Sequence, residues 1–153
     1  MFHGNLFQKE YVKVGVTPTS FGATTAVTGA NIVRGLAQSM AIVVNHALPT
    51  QTAGTGTPTG TITITLTDGA TTSPVTAITM VSAIPGTDIA AAGSDVYLVN
   101  LEGINSNIKV TATAALTASG GGNTPLCLAS VDVILGDFAT EPQPSALTVY
   151  QRA

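Results

Sequence analysis

The sequence predicts an all-β protein: a jelly-roll-like β-sandwich of eight or nine short strands with extended N- and C-terminal arms. An immunoglobulin-like sandwich is the alternative. Three observations lead there. Thr occurs 25 times among 153 residues, alongside 16 Gly and 8 Pro, and β-branched residues mixed with turn formers favour strands. Alternation of period two dominates the chain, whereas helical periodicity is nearly absent. The alternating runs recur at short intervals between Gly- and Pro-rich breaks, the spacing of a sandwich or barrel. No repeat of 20–50 residues is visible.

Taken in order, Tyr11 to Val16 places Val12, Val14 and Val16 on one face. Ala26 to Val33 is a second, weaker strand. Met40 to Val44 is a nearly continuous apolar run, as expected of a central strand covered on both sides. Thr61 to Thr67 alternates strictly, with Ile62, Ile64 and Leu66 on one face and four threonines on the other. Asp68-Gly69 follows at once and favours a tight hairpin turn, since both residues tolerate positive φ. Val75 to Ser82 returns, with Pro74 marking its start or an edge. Val96 to Leu101 comes next. Asn107 to Leu116 then aligns Ile108, Val110, Ala112, Ala114 and Leu116, and Leu126 to Leu135 aligns Cys127, Ala129, Val131, Val133 and Leu135. Ser145 to Gln151 is a weaker last strand. Thr87 to Ala92 is the one place for a turn of helix. Pro49 to Gly60 and Ser119 to Asn123 lack large apolar anchors and are expected to be mobile loops. The chain divides into an N-terminal arm (1–19), one sandwich domain (20–139) and a C-terminal extended arm (140–153), which Pro142 and Pro144 hold extended.

Composition narrows function. Only 5 Lys+Arg and 8 Asp+Glu are present, 8% of the chain, where a soluble domain carries about 25%. A folded monomer of this mass exposes roughly 7,000 Å², or one charge per ~550 Å² against about 200 Å² ordinarily. Hydroxyls and amides must carry the surface, or other chains must cover it. A net charge of −3 and scattered cations (Lys9, Lys13, Arg34, Lys109, Arg152) argue against a nucleic-acid partner, which needs a basic patch. No apolar run approaches the ~18 residues of a membrane span, so no membrane role is expected. No secretory signal is evident, and a single cysteine, Cys127, provides no intrachain disulfide and no cysteine-rich zinc site.

Chemistry-bearing patterns are scarce. His3 and His46 lack the HxH or HExxH spacing or a carboxylate cluster that would make a metal site, and are expected to be surface or interface histidines. Cys127 sits between Leu126 and Leu128, the setting of a small core hydrophobe. Asp132 points opposite to Val131 and Val133, toward solvent, and Asp137 follows Gly136 in a turn-like LGDF. GTGTPTG lacks the Lys-Ser/Thr ending of a P-loop, and no GxSxG elbow occurs. No cofactor is expected, and no enzymatic activity. A glycan-binding fibre or adhesin module, the alternative function, would need exposed aromatic rings, yet the chain has no Trp, and its obvious loops hold no ring.

The organisation resembles the small capsid cement (decoration) proteins of tailed bacteriophages, the jelly-roll kind. A leading arm, FHGNLFQKEYVKVGVTPTS, runs into ATTAVTGANIVRGLAQSMAIVVN. The Thr-rich hairpin TITITLTDGATTSPVTAITMV follows, then IAAAGSDVYLVNL and the closing pair NIKVTATAALT and CLASVDVILGD. The resemblance covers most of residues 10–137. It implies a non-enzymatic virion structural protein, made in the host cytoplasm and bound to the outside of an icosahedral capsid. Its partners would be the major capsid protein and itself, as a homotrimer first and a dimer second. The arms are the expected interfaces, because Phe2, Leu6, Phe7 and Tyr11 at one end, and Leu147, Val149 and Tyr150 at the other, are apolar side chains that need burial.

Overall fold

The computed structural model describes residues 11–72, 74, 76–84, 92–136 and 148–150. Among these there are eleven strands and no helix: β1 (Tyr11–Phe21), β2 (Ala26–Thr28), β3 (Ile32–Val33), β4 (Ser39–His46), β5 (Thr50–Thr52), β6 (Thr59–Gly69), β7 (Thr76–Ile84), β8 (Gly93–Asn100), β9 (Asn107–Thr117), β10 (Asn123–Gly136) and β11 (Thr148–Tyr150). They form two sheets. The larger runs β1-β10-β4-β8-β11, with β5 also on β10; the smaller runs β2-β9-β6-β7, with β3 also on β9. All pairings are antiparallel except β11 on β8. The all-β jelly-roll-like sandwich is therefore observed. The strand count exceeds the expected eight or nine because Ala26 to Val33, expected as one strand, is broken into β2 and β3, and because β5 is only three residues long, too short to show alternation.

The core lies between the sheets and follows the period of two. Ile62, Ile64 and Leu66 from β6 meet Ile108, Val110, Ala112, Ala114 and Leu116 from β9 on the inner face of the smaller sheet. Cys127, Ala129, Val131, Val133 and Leu135 from β10 line the larger one with Met40, Ile42 and Val44. Met40 to Val44 is the central strand of that sheet. The Tyr97 hydroxyl donates to the Val81 carbonyl at 2.8 Å and ties β8 to β7 across the sandwich.

Four expectations need correction. Residues 11–19, assigned to the N-terminal arm, lie in β1, which pairs along the fourteen-residue β10 with register shifts between Val14 and Val16 and between Val16 and Thr19. Within β1, Val12 and Val14 face outward and Val16 inward: the register slips between Val14 and Val16, so Gly15 is an extra residue that flips the alternation. A side chain at Gly15 would stand 3.1 Å from the Val131 carbonyl, hence glycine. Asp68-Gly69 is not a tight turn. The β6 ladder continues through Asp68 opposite Thr76, and the connection spans 70–75. Asp68 is buried instead, its Oδ2 accepting from the backbone N (2.8 Å) and Nδ2 (3.0 Å) of Asn105.

The fourth correction concerns the two loops, which hold each other in place. Gln51 Nε2 donates to the Ser119 carbonyl (2.6 Å), Ser119 N donates to Gln51 Oε1 (2.9 Å), and Thr55 N donates to the Gly120 carbonyl (3.3 Å). Glycine permits this backbone-on-backbone contact. A Cβ on Gly54 would lie 2.4 Å from Gly122 N, and one on Gly120 2.6 Å from Gly56 N, with φ at +79° and +59° respectively. Polar pairing has replaced the missing apolar anchor. The expected helical turn at Thr87 to Ala92 falls outside the described residues, apart from Ala92.

Candidate functional site

The outer faces of the two sheets differ in chemistry. On the smaller sheet the register aligns Thr28, Thr111, Thr65 and Thr79 in one cross-strand row, and Ala26, Thr113, Thr63 and Val81 in the next. Thr28 and Thr111 share a hydroxyl hydrogen bond at 2.8 Å. On the larger sheet the rows read Val12, Ile134, Ala41 and Leu98, then Val14, Asp132, Val43 and Val96, then Ser130, Asn45 and Ser94. Val12, Val14 and Leu128 are 69%, 52% and 55% exposed, and Leu126 and Val96 also face solvent. Ala41 and Leu98 in the first row are buried, so the exposed apolar side chains of this face are Val12, Val14, Val96, Leu126 and Leu128, with Asp132 and the Ser130, Asn45 and Ser94 row set among them.

A shallow cleft of about 390 Å³ opens at one end of this face. Asn45, Ser94 and Ser130 form its floor, with Pro18, Leu128 and Ala92 around it. The floor is already organised: Ser94 Oγ donates to Asn45 Oδ1 (2.6 Å), and Asn45 Nδ2 donates to Asp132 Oδ2 (3.2 Å). Asp132 lies on the outer face as alternation predicts.

Beneath the cleft, His46 is buried, which corrects its expected surface position: it falls on the inward side of β4, in phase with Met40, Ile42 and Val44. Gly93 opposite makes room, since a Cβ there would sit 3.0 Å from the imidazole Cε1. Nε2 stands 3.6 Å from Asp95 Oδ2, and Nδ1 has no hydrogen-bond partner. Cys127 is buried, as expected, and donates to the Ala47 carbonyl at 3.3 Å; burial pushes its thiol above the ordinary value, so it stays protonated. Among the described residues no three His, Cys, Asp or Glu side chains converge on a metal position.

The arm residues are placed only in part. Tyr11 begins β1 opposite Leu135. Val149 and Tyr150 lie in β11 beside Leu98 and Val99 of the same chain. These strands are opposite edges of the larger sheet, so the structure does not bring the two groups together. Phe2, Leu6, Phe7 and Leu147 lie outside the described residues, as do His3 and Asp137. The apolar outer face was missed. Its signal was available in Leu126 to Leu135, where Leu126, Leu128 and Ile134 stand with Ser130 and Asp132 on the face opposite Cys127, Ala129, Val131, Val133 and Leu135.

No family model and no curated protein matches the sequence. The fold does have solved counterparts. Over 92% of its length the chain superposes on a chain from the structure of infectious bursal disease virus, Gx strain, with a TM-score of 0.53 and 14% identity. Over 85% it superposes on the VP2 subviral particle of infectious bursal disease virus, with a TM-score of 0.50 and 14% identity. The sandwich has the fold of viral capsid proteins. The chain spans about a third of the length of each, 34% and 33%, and at this identity the likeness concerns the fold alone.

Proposed function

We propose that this chain is a non-enzymatic virion structural protein, a cement protein on the outside of an icosahedral capsid that stabilises contacts between major capsid protein subunits. The observation that carries this is the apolar outer face of the larger sheet. The outer face of the smaller sheet is mostly threonine, which water satisfies, whereas Val12, Val14, Val96, Leu126 and Leu128 on the larger one are exposed apolar side chains that a protein partner would cover. The capsid-type fold and the one charge per ~550 Å² support the same role. Phe2, Leu6, Phe7 and Tyr11, with Leu147, Val149 and Tyr150, are the proposed capsid contacts, strand addition being the means. The expected tailed-phage origin and synthesis in the host cytoplasm go with this role. The glycan-binding alternative gains nothing, since the exposed large hydrophobic residues among those described are valine and leucine, with no aromatic ring.

The test is electron cryo-microscopy of empty shells mixed with the full chain or with a chain lacking residues 1–9. The full chain should add density outside the shell and the truncated one should not. Bare shells with the full chain would refute the role. Equal decoration by both would remove the N-terminal residues from the interface.

A further inference from the structure

We propose that the outer face of the larger sheet takes a patch of the major capsid protein in which short apolar side chains surround one arginine, and that this arginine sits on Asp132. The inference rests on the virion reading and names the chemistry of the surface that covers this face. It starts from where Asp132 stands. Its cross-strand row is Val14, Asp132, Val43 and Val96, so the carboxylate is set among valines. No lysine or arginine among the described residues pairs with it. Lys13, on the neighbouring strand, lies opposite the inward-facing Val133. The Arg34 guanidinium is engaged elsewhere, with the carbonyls of Ala37 and Leu101 at 3.1 and 2.9 Å. In the free chain water and the Asn45 amide satisfy Asp132. A protein that covers Val14 and Val96 removes that water, and a carboxylate stripped of water with no cation opposite it is costly. The cover must therefore bring a cation. The same face of a second copy has none among its cross-strand rows, and would set carboxylate against carboxylate.

The adjacent polar row indicates which cation. Its hydrogen bonds run one way: Ser94 Oγ donates to Asn45 Oδ1 (2.6 Å), and Asn45 Nδ2 donates to Asp132 Oδ2 (3.2 Å). The chain ends on the carboxylate, holds it in place, and uses up the hydroxyl proton of Ser94. What remains for a partner is mostly acceptors: the carboxylate, the lone pairs of Ser94, and the hydroxyl of Ser130 on the same face of the same strand as Asp132. Such a site calls for a planar group with several N–H donors. A guanidinium carries them in a fixed fork, whereas an ammonium is a compact point charge. Beyond the polar row, the shallow cleft walled by Pro18, Leu128 and Ala92 has room for an aliphatic side chain beside the arginine.

The experiment is co-sedimentation of the full chain with empty shells, wild type against Asp132→Asn, which keeps the size and the Asn45 contact but not the charge. Thr79→Asn on the opposite sheet is the control. The sign of the effect decides. With an arginine opposite, D132N strands it and weakens binding, on the order of 30-fold or more. Asp132→Lys, which sets cation against cation, weakens it further. Asp132→Ser repeats the first comparison should D132N lose the wild-type circular dichroism spectrum. T79N should bind as the wild type does, and its failure to bind would put the interface on the wrong sheet. If the covering surface holds no cation, removing the charge spares the desolvation of a carboxylate, and D132N binds as tightly as the wild type or more tightly. That result overturns the inference and leaves the virion role standing. D132K binding as well as D132N overturns it too, since the partner group would then be a neutral donor. A wild type that self-associates without shells, and comes apart as D132N, would put the cation on a second copy, through Lys9 or Arg152, and the capsid protein would not be the occupant. A wild type that leaves shells bare refutes the virion role, and this inference falls with it.

Discussion

The two sheets are alike inward and opposite outward. Inside, β6 presents Ile62, Ile64 and Leu66, and β10 presents Val131, Val133 and Leu135, all essentially inaccessible. Outside, β6 presents Thr61, Thr63, Thr65 and Thr67, while β10 presents Leu126, Leu128, Ser130, Asp132 and Ile134. Threonine and valine are near-isosteric and equally suited to a strand, so the backbone gains the same from either. They differ in what they ask of their surroundings: a hydroxyl is satisfied by water, and a methyl is not. The inner pattern reports how the chain folds. The outer pattern reports where each sheet expects to live.

The sharpest way to break this comparison is to show that the inner faces are not equivalent. Ile64→Ala in the smaller sheet and Leu135→Ala in the larger should each cost about 2–5 kcal/mol by urea unfolding, since both side chains fill one shared core. A loss confined to one sheet would mean that the sheets do not unfold as a unit. Next in size is Asp68→Ala, which removes the acceptor of two hydrogen bonds from Asn105. It should cost roughly 2–3 kcal/mol in the same assay, as charged acceptors do. Asp68→Asn should retain part of that.

Cys127 tests the inner face of the larger sheet by pH. Burial raises its thiol pKa in the fold, so the folded chain holds the proton that the unfolded chain releases above about 9.0. The contribution of Cys127 to stability should therefore be fully present below that value and fall as pH rises beyond it, by no more than about 1.4 kcal/mol per pH unit. Cys127→Ala should abolish that slope. The native thiol should also resist iodoacetamide. The smallest effects belong to the outer faces. Thr65→Val and Val96→Thr should each change the stability of a single chain by less than about 0.5 kcal/mol, while the first raises, and the second lowers, the tendency to associate in sedimentation velocity.

How much of this was legible in the sequence follows from what alternation can and cannot encode. The long strands were legible, since an apolar residue at every second position over nine residues points to one inward face: Ile108 to Leu116 and Cys127 to Leu135 lie where their spacing puts them. Asp68-Gly69 misled because turn propensity is local, whereas the pairing of Asp68 with Thr76 and its bonds to Asn105 are made at a distance. His46 misled for a related reason: its phase with Ile42 and Val44 pointed inward, but only Gly93, 47 residues on, shows that an imidazole fits there. Gly15 hid the flip of Val12 and Val14, because a bulge needs only one extra residue. The candidate interface was half legible. Charge poverty said that surface would be covered, but which surface depends on strand order, and strand order is not written in any single segment.

The register of β4 with β10 has a further consequence, for the birth of the molecule. Ser39 lies opposite Gly136, and His46 opposite Ala129, so the middle of the larger sheet joins segments separated by most of the chain. On a ribosome adding some 5–20 residues per second, β6 and β7 can zip together while β10 is still unmade. Met40 to Val44, meanwhile, has emerged with both of its sheet neighbours, β8 and β10, still unmade. Long-range pairing of this kind is slow. The newborn chain therefore spends seconds with its most apolar strand uncovered, open to a chaperone or a crowded neighbour before β10 exists to pair with it.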